Sequence, residues 1–230
     1  MIVYGRNAVR EALRGSRRVS RVWATRGAVP SEAVSDVRVV DSAEVARLCG
    51  SDAHQGVCAE VSDYVYSSGS ELLAAPDPLI VVLDEVTDPQ NLGAVCRSAE
   101  CAGATGAVIP ERRSAEVTPA VCKASAGAVE WLAIARVRNV ADFLGEAKDA
   151  GCWCYGAAAE GDTPYRSPDY RGGVVLVLGA EGRGLRPRVA KACDALVSLP
   201  LRGRIESLNV SATAAVLLYE ILQQRLDATT

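Results

Sequence analysis

Histidine and paired cysteines are scarce in this sequence of 230 residues, which contains one histidine, His54, and eight dispersed cysteines with no Cys-x-x-Cys pair. A structural zinc site needs clustered cysteine or histidine ligands, so the sequence favours a protein without a structural metal. Cys152 and Cys154 flank Trp153 and point to the same side of a predicted strand. We therefore expect the cysteines to be reduced residues of the core.

A segment that could cross a membrane is also missing. No stretch approaches about 18 uninterrupted apolar residues, and the N-terminal segment has no apolar core of the kind found in signal peptides. With 49% hydrophobic residues, the chain has ample apolar side chains for a packed interior. We expect a globular, cytoplasmic protein.

An overall positive charge is absent, because the formal net charge is -3. This balance argues against a basic surface covering the whole protein. Residues 1–26 nevertheless carry seven arginines against the single acid Glu11. Such a cluster suits phosphate contacts with a nucleic acid, and it is equally typical of a solvated, arginine-rich helix face. The sequence alone leaves both interpretations open.

The hydrophobic pattern predicts an α/β protein with two units. Residues 1–62 alternate short strands and helices, and residues 63–77 are rich in serine and predict a linker. In residues 78–230, apolar strands alternate with helices, which is typical of a mainly parallel sheet covered on both faces.

The same periodicities give approximate boundaries for the elements. In the smaller unit they predict a helix from Gly5 to Gly15, strands at 19–25, 37–40 and 57–61, and a helix capped by Ser42 and closed by Gly50. In the larger unit they predict strands at 79–86, 106–110, 131–137, 152–158, 172–179 and 195–201, and helices at 91–103, 118–127, 139–150 and 207–226.

Polar residues follow three of these apolar strands, at the sheet edge where ligands bind in open parallel sheets. The first polar segment, 88–93, leads into a helix that carries Arg97. An ordinary turn would explain the segment, with Asn91 as the helix cap. Arg97 is harder to explain by structure alone, because the residues around it are small or apolar.

The second polar segment, Gly179 to Gly184, places Glu181 among glycines. Glycines allow a backbone to approach a ligand closely, although the spacing is not that of a GxGxxG nucleotide-binding loop. A tight turn would also explain the segment. Glu181 is the candidate functional residue, since a carboxylate between flexible glycines usually faces a partner.

The third polar segment, Ser198 to Val210, includes a proline after the strand, two arginines and a glutamate, and it ends with Ser207 and Asn209 at the start of an apolar helix. Ordinary helix capping by Ser207, with Asn209 exposed in the first turn, is one explanation. A role in ligand binding is the other.

Taken together, the segments DPQNLGAVCR, LVLGAEGRGL and LPLRGRIESLNVSAT resemble the three signature motifs of the SpoU (TrmH-type) branch of the SPOUT methyltransferases. The segments VYGRNAVREAL, HQGV and RSAEVTPAVCKASAGAVE are similar to the RlmB-type 23S ribosomal RNA guanosine 2'-O-methyltransferases. The resemblance therefore covers nearly the whole chain.

The resemblance implies a fold that periodicity does not show. It implies a SPOUT domain over residues 78–230 with a deep trefoil knot, although general rules of chain topology disfavour knots. It also implies a domain similar to ribosomal protein L30e over residues 1–62 that helps to bind RNA, and a homodimer whose active sites draw on both subunits. This favours the phosphate-contact interpretation of the N-terminal arginines.

The resemblance also implies a cofactor and a reaction. S-adenosylmethionine would be bound by Gly179, Leu199 and Leu208, and its methyl group would pass to a ribose 2'-hydroxyl of RNA. Arg97 matches the residue proposed in this family to activate the hydroxyl. A guanidinium is effectively always protonated, so we expect Arg97 to stabilise developing negative charge or to hold a phosphate.

The remaining catalytic candidates are carried over from the same motifs. Glu181 either pairs with Arg97 or accepts the proton itself. Asn91, Ser207 and Asn209 are expected to hydrogen-bond the ribose, a phosphate or the other catalytic side chains.

Alternatives remain for the substrate and for the class of protein. The resemblance favours a guanosine of 23S ribosomal RNA, and transfer RNA or a ribosomal nucleotide of the kind methylated in antibiotic resistance are the alternatives. From other classes, a non-catalytic RNA-binding protein would have a vestigial cofactor pocket. A Rossmann-type nucleotide enzyme is disfavoured because Walker and GxGxxG motifs are absent.

Overall fold

The computed structural model describes residues 1–32 and 37–228. Within these ranges, no helix is long and apolar enough to cross a membrane. No group of three or more His, Cys, Asp or Glu side chains in the same ranges is arranged to hold a metal ion.

The N-terminal part forms a four-stranded sheet in the order β1-β4-β2-β3. Strand β4 pairs antiparallel with β1 and β2, whereas β2 and β3 are parallel. The predicted elements of this part are present, and β1 is an addition, because three residues are too few for a recognisable alternation. Its elements are β1 (Ile2–Tyr4), α1 (Arg6–Arg14), β2 (Val19–Ala24), β3 (Val37–Val39), α2 (Ser42–Cys49) and β4 (Val57–Val61).

Helix α2 is capped one residue earlier than its sequence predicts. The side chain of Asp41 accepts a hydrogen bond of 2.8 Å from the backbone N–H of Glu44, so Asp41 rather than Ser42 is the N-cap. Both residue types cap helices well, and the choice depends on which residue has extended backbone angles. The helix ends as predicted at Gly50, whose φ of 65° is left-handed.

The segment after β4 lies against the larger sheet. The Tyr64 hydroxyl donates a hydrogen bond of 3.2 Å to the Leu132 carbonyl, and the Tyr66 hydroxyl accepts one of 2.9 Å from the Val117 N–H. The same segment, predicted as a linker, contains the short helix α3 (Gly69–Leu73), which begins with a capping box between Ser68 and Glu71.

The C-terminal part contains a seven-stranded sheet in the order β7-β6-β5-β10-β8-β11-β9, and every pair in it is parallel. The predicted α/β class and parallel sheet are therefore confirmed; the trefoil knot and the likeness to L30e stay predictions. Its elements are β5 (Leu79–Asp84), α4 (Pro89–Cys101), β6 (Gly106–Pro110), α5 (Pro119–Ala124), β7 (Ala133–Val137), α6 (Val140–Asp149), β8 (Trp153–Ala157), β9 (Thr163–Pro164), β10 (Val174–Gly179), α7 (Pro187–Ala192), β11 (Ala195–Ser198) and α8 (Val210–Asp227).

The two faces of the central strands belong to two separate apolar layers. Alternate residues of β5, such as Val81 and Leu83, pack in the cluster that contains α4 and α8, whereas Ile80 and Val82 pack in the cluster that contains α6. Because successive strand residues point to opposite faces, a fully apolar strand is what a sheet covered on both sides requires.

Most of the cysteines are core residues, as predicted. Cys58, Cys96, Cys122, Cys152 and Cys154 are buried and free, and one of the remaining three is exposed. Burial raises the pKa of Cys96 and of Cys154 to about 12, so both thiols stay protonated at neutral pH. These two buried thiols are packing residues and not nucleophiles.

A buried ion pair joins the two parts of the chain. The guanidinium of Arg17, between α1 and β2, bonds with both carboxylate oxygens of Glu130, and the two side chains are only 8% and 1% exposed. Arg17 also lies 5.8 Å from the ring centroid of Tyr64. Burial opposes the charge of Arg17, but its pKa is raised because the hydrogen bonds and charge of Glu130 outweigh burial.

This pair corrects one part of the expected RNA-binding cluster. Arg17 faces the protein interior and is not available to a phosphate. Arg10 and Arg14 both bond with Glu11 on the surface of α1. The arginine cluster therefore contains a structural residue as well as exposed ones.

We predict that Glu130→Gln destabilises the folded protein by about 3 kcal/mol, because the buried Arg17 loses its charged partner. The measurement is the free energy of unfolding in denaturant. Glu44→Gln is the matched control, since Glu44 pairs with Arg47 on the surface, and it should leave stability unchanged. Equal stability of the two variants would contradict a structural role for the buried pair.

Candidate active site

The carboxyl ends of β10 and β11 border a cavity of about 650 Å³. Six of the eight predicted site residues line it: Gly179, Glu181, Leu199, Ser207, Leu208 and Asn209. Its walls are mainly apolar, with contributions from Leu178, Val197 and Leu217. The polar groups are concentrated at one side, where the loop after β10 approaches the start of α8.

Asn209 holds that side of the cavity together. Its Nδ2 donates to the Asn91 side-chain oxygen at 3.0 Å and to the Glu181 carboxylate at 2.5 Å. Its Oδ1 accepts from the backbone N–H of Ser211 at 2.8 Å and from the Ser211 hydroxyl at 2.6 Å. One amide side chain therefore connects α4, the loop after β10 and α8.

Asn209 is also the N-cap of α8, which corrects the capping explanation based on Ser207. Ser207 instead lies exposed at the cavity wall, two residues before the cap. The cap of α4 is likewise not Asn91 but Asp88, with Pro89 as the first helical residue. Asn91 is buried in the first turn, where its side chain is free to accept from Asn209.

The glycine loop is folded tightly on itself. The Gly184 N–H donates to the Ala180 carbonyl at 2.9 Å, and Gly182 and Gly184 have φ values of 75° and 66°. A Cβ atom added to Gly179 would lie 2.1 Å from the carbonyl carbon of Gly184. Position 179 thus excludes any side chain, and the loop presents backbone groups and the Glu181 carboxylate to the cavity.

A second groove of about 400 Å³, with more charged side chains in its lining, adjoins the cavity. Asn91, Asp88, Arg113 and Arg183 line this groove, and Glu181 borders both spaces. The carboxylate of Glu181 therefore lies between an apolar cavity that suits an aromatic ligand and a charged groove that suits a polar one. A proton acceptor at this boundary can serve a reaction between ligands in the two spaces.

Arg97 is not brought to either of these two spaces. It is exposed on α4 and makes no hydrogen bond or ion pair within residues 1–32 and 37–228. Six positions separate it from Asn91, and at about 100° per residue the two side chains point to different sides of the helix. The expected pair between Arg97 and Glu181 is not formed in this chain; Glu181 bonds with Asn209 instead.

Asp84 is a site-supporting residue that the sequence reasoning missed. It ends β5 with no exposed surface, and its carboxylate bonds with Arg186 beyond the glycine loop. The sequence does contain a signal for this role, because Asp84 is an acidic residue that directly follows the apolar run LIVVL. A charge in that position is seldom buried without a partner.

Two families match successive parts of the chain. Residues 78–219 match the SpoU rRNA methylase family, and residues 2–67 match the family described as RNA 2'-O ribose methyltransferase substrate binding. These two segments contain the parallel sheet with its cavity and the smaller N-terminal sheet, respectively.

Individual proteins are similar over almost the whole chain. An uncharacterised tRNA/rRNA methyltransferase of Synechocystis is 38% identical over 97% of the chain, which spans 62% of that relative's length. A putative TrmH family tRNA/rRNA methyltransferase of Bacillus subtilis is 36% identical over 97% of the chain and 95% of the relative. The crystal structure of an AdoMet-bound rRNA methyltransferase from Sinorhizobium meliloti has a TM-score of 0.81 at 26% identity, covering 96% of this chain and 86% of that one.

We predict that Asn209→Ala and Asn209→Ser differ in stability. Alanine removes the cap of α8 and should cost about 1 kcal/mol, whereas serine retains a capping oxygen and should cost only a few tenths. Denaturant unfolding of both variants measures the difference. The capping assignment is wrong if alanine is tolerated as well as serine.

Proposed function

This chain belongs to the SpoU family of RNA methyltransferases, and on that premise we propose that it methylates the ribose 2'-hydroxyl of a guanosine in 23S ribosomal RNA. Methyl transfer from S-adenosylmethionine to RNA is the activity that membership of the family gives it. The position of Glu181, between an apolar cavity and a polar groove, is the observation that supports the proposal most directly.

The apolar cavity fits S-adenosylmethionine. A volume of about 650 Å³ lies in the usual range for a ligand of this size, and the walls combine apolar side chains with a few polar groups. Leu199 and Leu208 would contact the adenosine, and the backbone at Gly179 would hold it from the loop side. The bound cofactor supplies a methyl group that its sulfonium charge makes electrophilic.

Glu181 is the proposed proton acceptor. Its carboxylate borders the groove in which a ribose would lie, and the Asn209 amide holds one of its oxygens in place. The 2'-hydroxyl would donate its proton to Glu181 as the oxygen becomes methylated. Fixing the acceptor before the substrate arrives reduces the reorganisation that the reaction requires. Asn91 and Ser207 are proposed to orient the ribose or its phosphates.

Arg97 is proposed to act across a homodimer. Within its own chain Arg97 is exposed and lines neither the cavity nor the groove, so a second subunit would have to bring an Arg97 side chain to the site. Val216 and Tyr219 on α8, a helix that packs beside α4, are 43% and 52% exposed and are large apolar side chains that a second subunit could cover. In the dimer, Arg97 would stabilise alkoxide charge or hold a phosphate.

The smaller unit is proposed to hold the RNA. Arg6, Arg18 and Arg26 are exposed members of the N-terminal cluster, and none of them forms an ion pair among the described residues. Phosphate contacts from these residues would add affinity that decreases with salt. The rigid connection through Arg17 and Glu130 would keep this surface in a fixed relation to the active site.

The test combines cofactor binding with substrate mapping for the full chain. Calorimetry should detect S-adenosylmethionine binding, and incubation with ribosomal RNA should produce a 2'-O-methyl group at a guanosine of 23S ribosomal RNA. Methylation of transfer RNA or of another ribosomal nucleotide would contradict the proposed substrate. RNA binding without cofactor binding would identify a non-catalytic protein and overturn the activity.

Substitution of Arg97 tests its role in catalysis. Arg97→Ala should lower the single-turnover rate of methylation of bound RNA by about 100-fold, as expected for loss of one charge-stabilising donor. Arg97→Lys keeps the charge and should retain part of the rate if electrostatic stabilisation dominates. A near-normal rate for Arg97→Ala would exclude a catalytic role.

A further inference from the structure

The glycine loop begins and ends beside the same residue, Asp84. In the parallel pairing of β5 with β10, Gly179 lies in register with Asp84. The chain then turns through residues 180–184 and returns to Arg186, whose backbone N–H donates to Asp84 Oδ2 at 3.0 Å. Both ends of the loop are therefore fixed at the carboxyl end of β5.

Several charged hydrogen bonds join Arg186 to Asp84 where the chain leaves the loop. Arg186 Nε and Nη2 lie 2.8 Å and 2.6 Å from Asp84 Oδ1, and Asp84 has no exposed surface. The hydrogen bond to Asp84 is the main reason that the pKa of Arg186 is raised. Glu85 contributes more weakly, with an oxygen 3.5 Å from Arg186 Nη1.

The loop between these anchors forms one side of the apolar cavity. Gly179, Ala180, Glu181, Gly182 and Gly184 line it, whereas the pair that anchors them does not. With three glycines the loop has little conformational preference of its own, so its shape depends on its contacts: the bond from Gly184 to Ala180, the bond from Asn209 to Glu181 and the anchors at its two ends. A displacement of the Arg186 end would move both the backbone that faces the ligand and the Glu181 carboxylate.

We propose that Asp84 and Arg186 form a positioning pair that fixes the glycine loop for cofactor binding. The proposal rests on the function proposed above, in which this cavity holds S-adenosylmethionine. Neither residue touches the cavity, and their effect passes through the loop backbone.

Asp84→Asn is the most direct test. The shape of the side chain is retained, but an amide has one acceptor oxygen where the carboxylate has two. Whichever way the amide is oriented, its NH₂ group must face either the Arg186 N–H or the guanidinium, and both are donors. We expect the Kd for S-adenosylmethionine to rise at least tenfold, while the Kd for RNA stays within twofold of the wild-type value.

Glu130→Gln is the matched control for general destabilisation. Its carboxylate is as buried as that of Asp84 and also pairs with an arginine, but it belongs to the junction between the two parts of the chain. It should leave cofactor affinity unchanged. Arg186→Lys is the second variant, which keeps the charge and the backbone N–H; we expect a smaller but measurable loss of cofactor affinity.

Amide hydrogen exchange of the loop, without cofactor, supplies a readout that does not depend on the proposed activity. Exchange over residues 180–186 should accelerate in Asp84→Asn and Arg186→Lys but not in Glu130→Gln. The inference is overturned if loop exchange and cofactor affinity in Asp84→Asn match the wild type, or if Glu130→Gln shows the same losses. If Asp84→Asn does not fold, loop exchange and cofactor affinity in Arg186→Lys, compared with the wild type and with Glu130→Gln, test the inference instead. Absence of cofactor binding by the wild type would instead contradict the proposed function.

Discussion

The arrangement of the candidate active site depends on the single amide of Asn209. Its Nδ2 donates hydrogen bonds to Asn91, 118 positions away in the sequence, and to Glu181, 28 positions away. Its Oδ1 caps the N-terminus of α8. A side-chain amide is suited to this role because its NH₂ group donates hydrogen bonds on one side while its oxygen accepts them on the other. Without it, the carboxylate of Glu181 would be one exposed group on a glycine-rich loop, free to adopt many orientations.

Two ion pairs, each with a buried carboxylate, give this amide a framework. Arg17 and Glu130 join the N-terminal sheet to the part of the chain with the larger sheet, and Asp84 and Arg186 join the end of β5 to the chain beyond the glycine loop. A buried charge is costly unless it is fully paired, so neither pair can open without a large loss of free energy. These pairs anchor the surroundings of the site, whereas the segment 201–209 beside the cavity is exposed and held mainly through its last residue.

The parallel sheet explains why the cavity lies where it does. The carboxyl ends of β10, β8 and β11 are neighbours in the sheet, so the loops that follow them meet at one edge. The apolar residues that line the cavity come mainly from strand ends, and polar residues around the cavity and the groove come from the loops and the starts of α4 and α8. Glu181 borders both environments because the glycine loop lies where the cavity and the groove adjoin.

The sequence by itself determined the α/β class, six of the seven strands of the larger sheet and the polar segments that border the cavity, because periodicity and local residue preferences report on neighbours along the chain. Only the tertiary structure decided which partners these residues have: Asn209 holds Glu181, Arg17 is buried, Asp84 anchors a loop and Arg97 points away from the cavity. These facts depend on hydrogen bonds and ion pairs between residues 28 to 118 positions apart. Contacts at such separations are set by how the sheet orders its strands, and no local pattern records them.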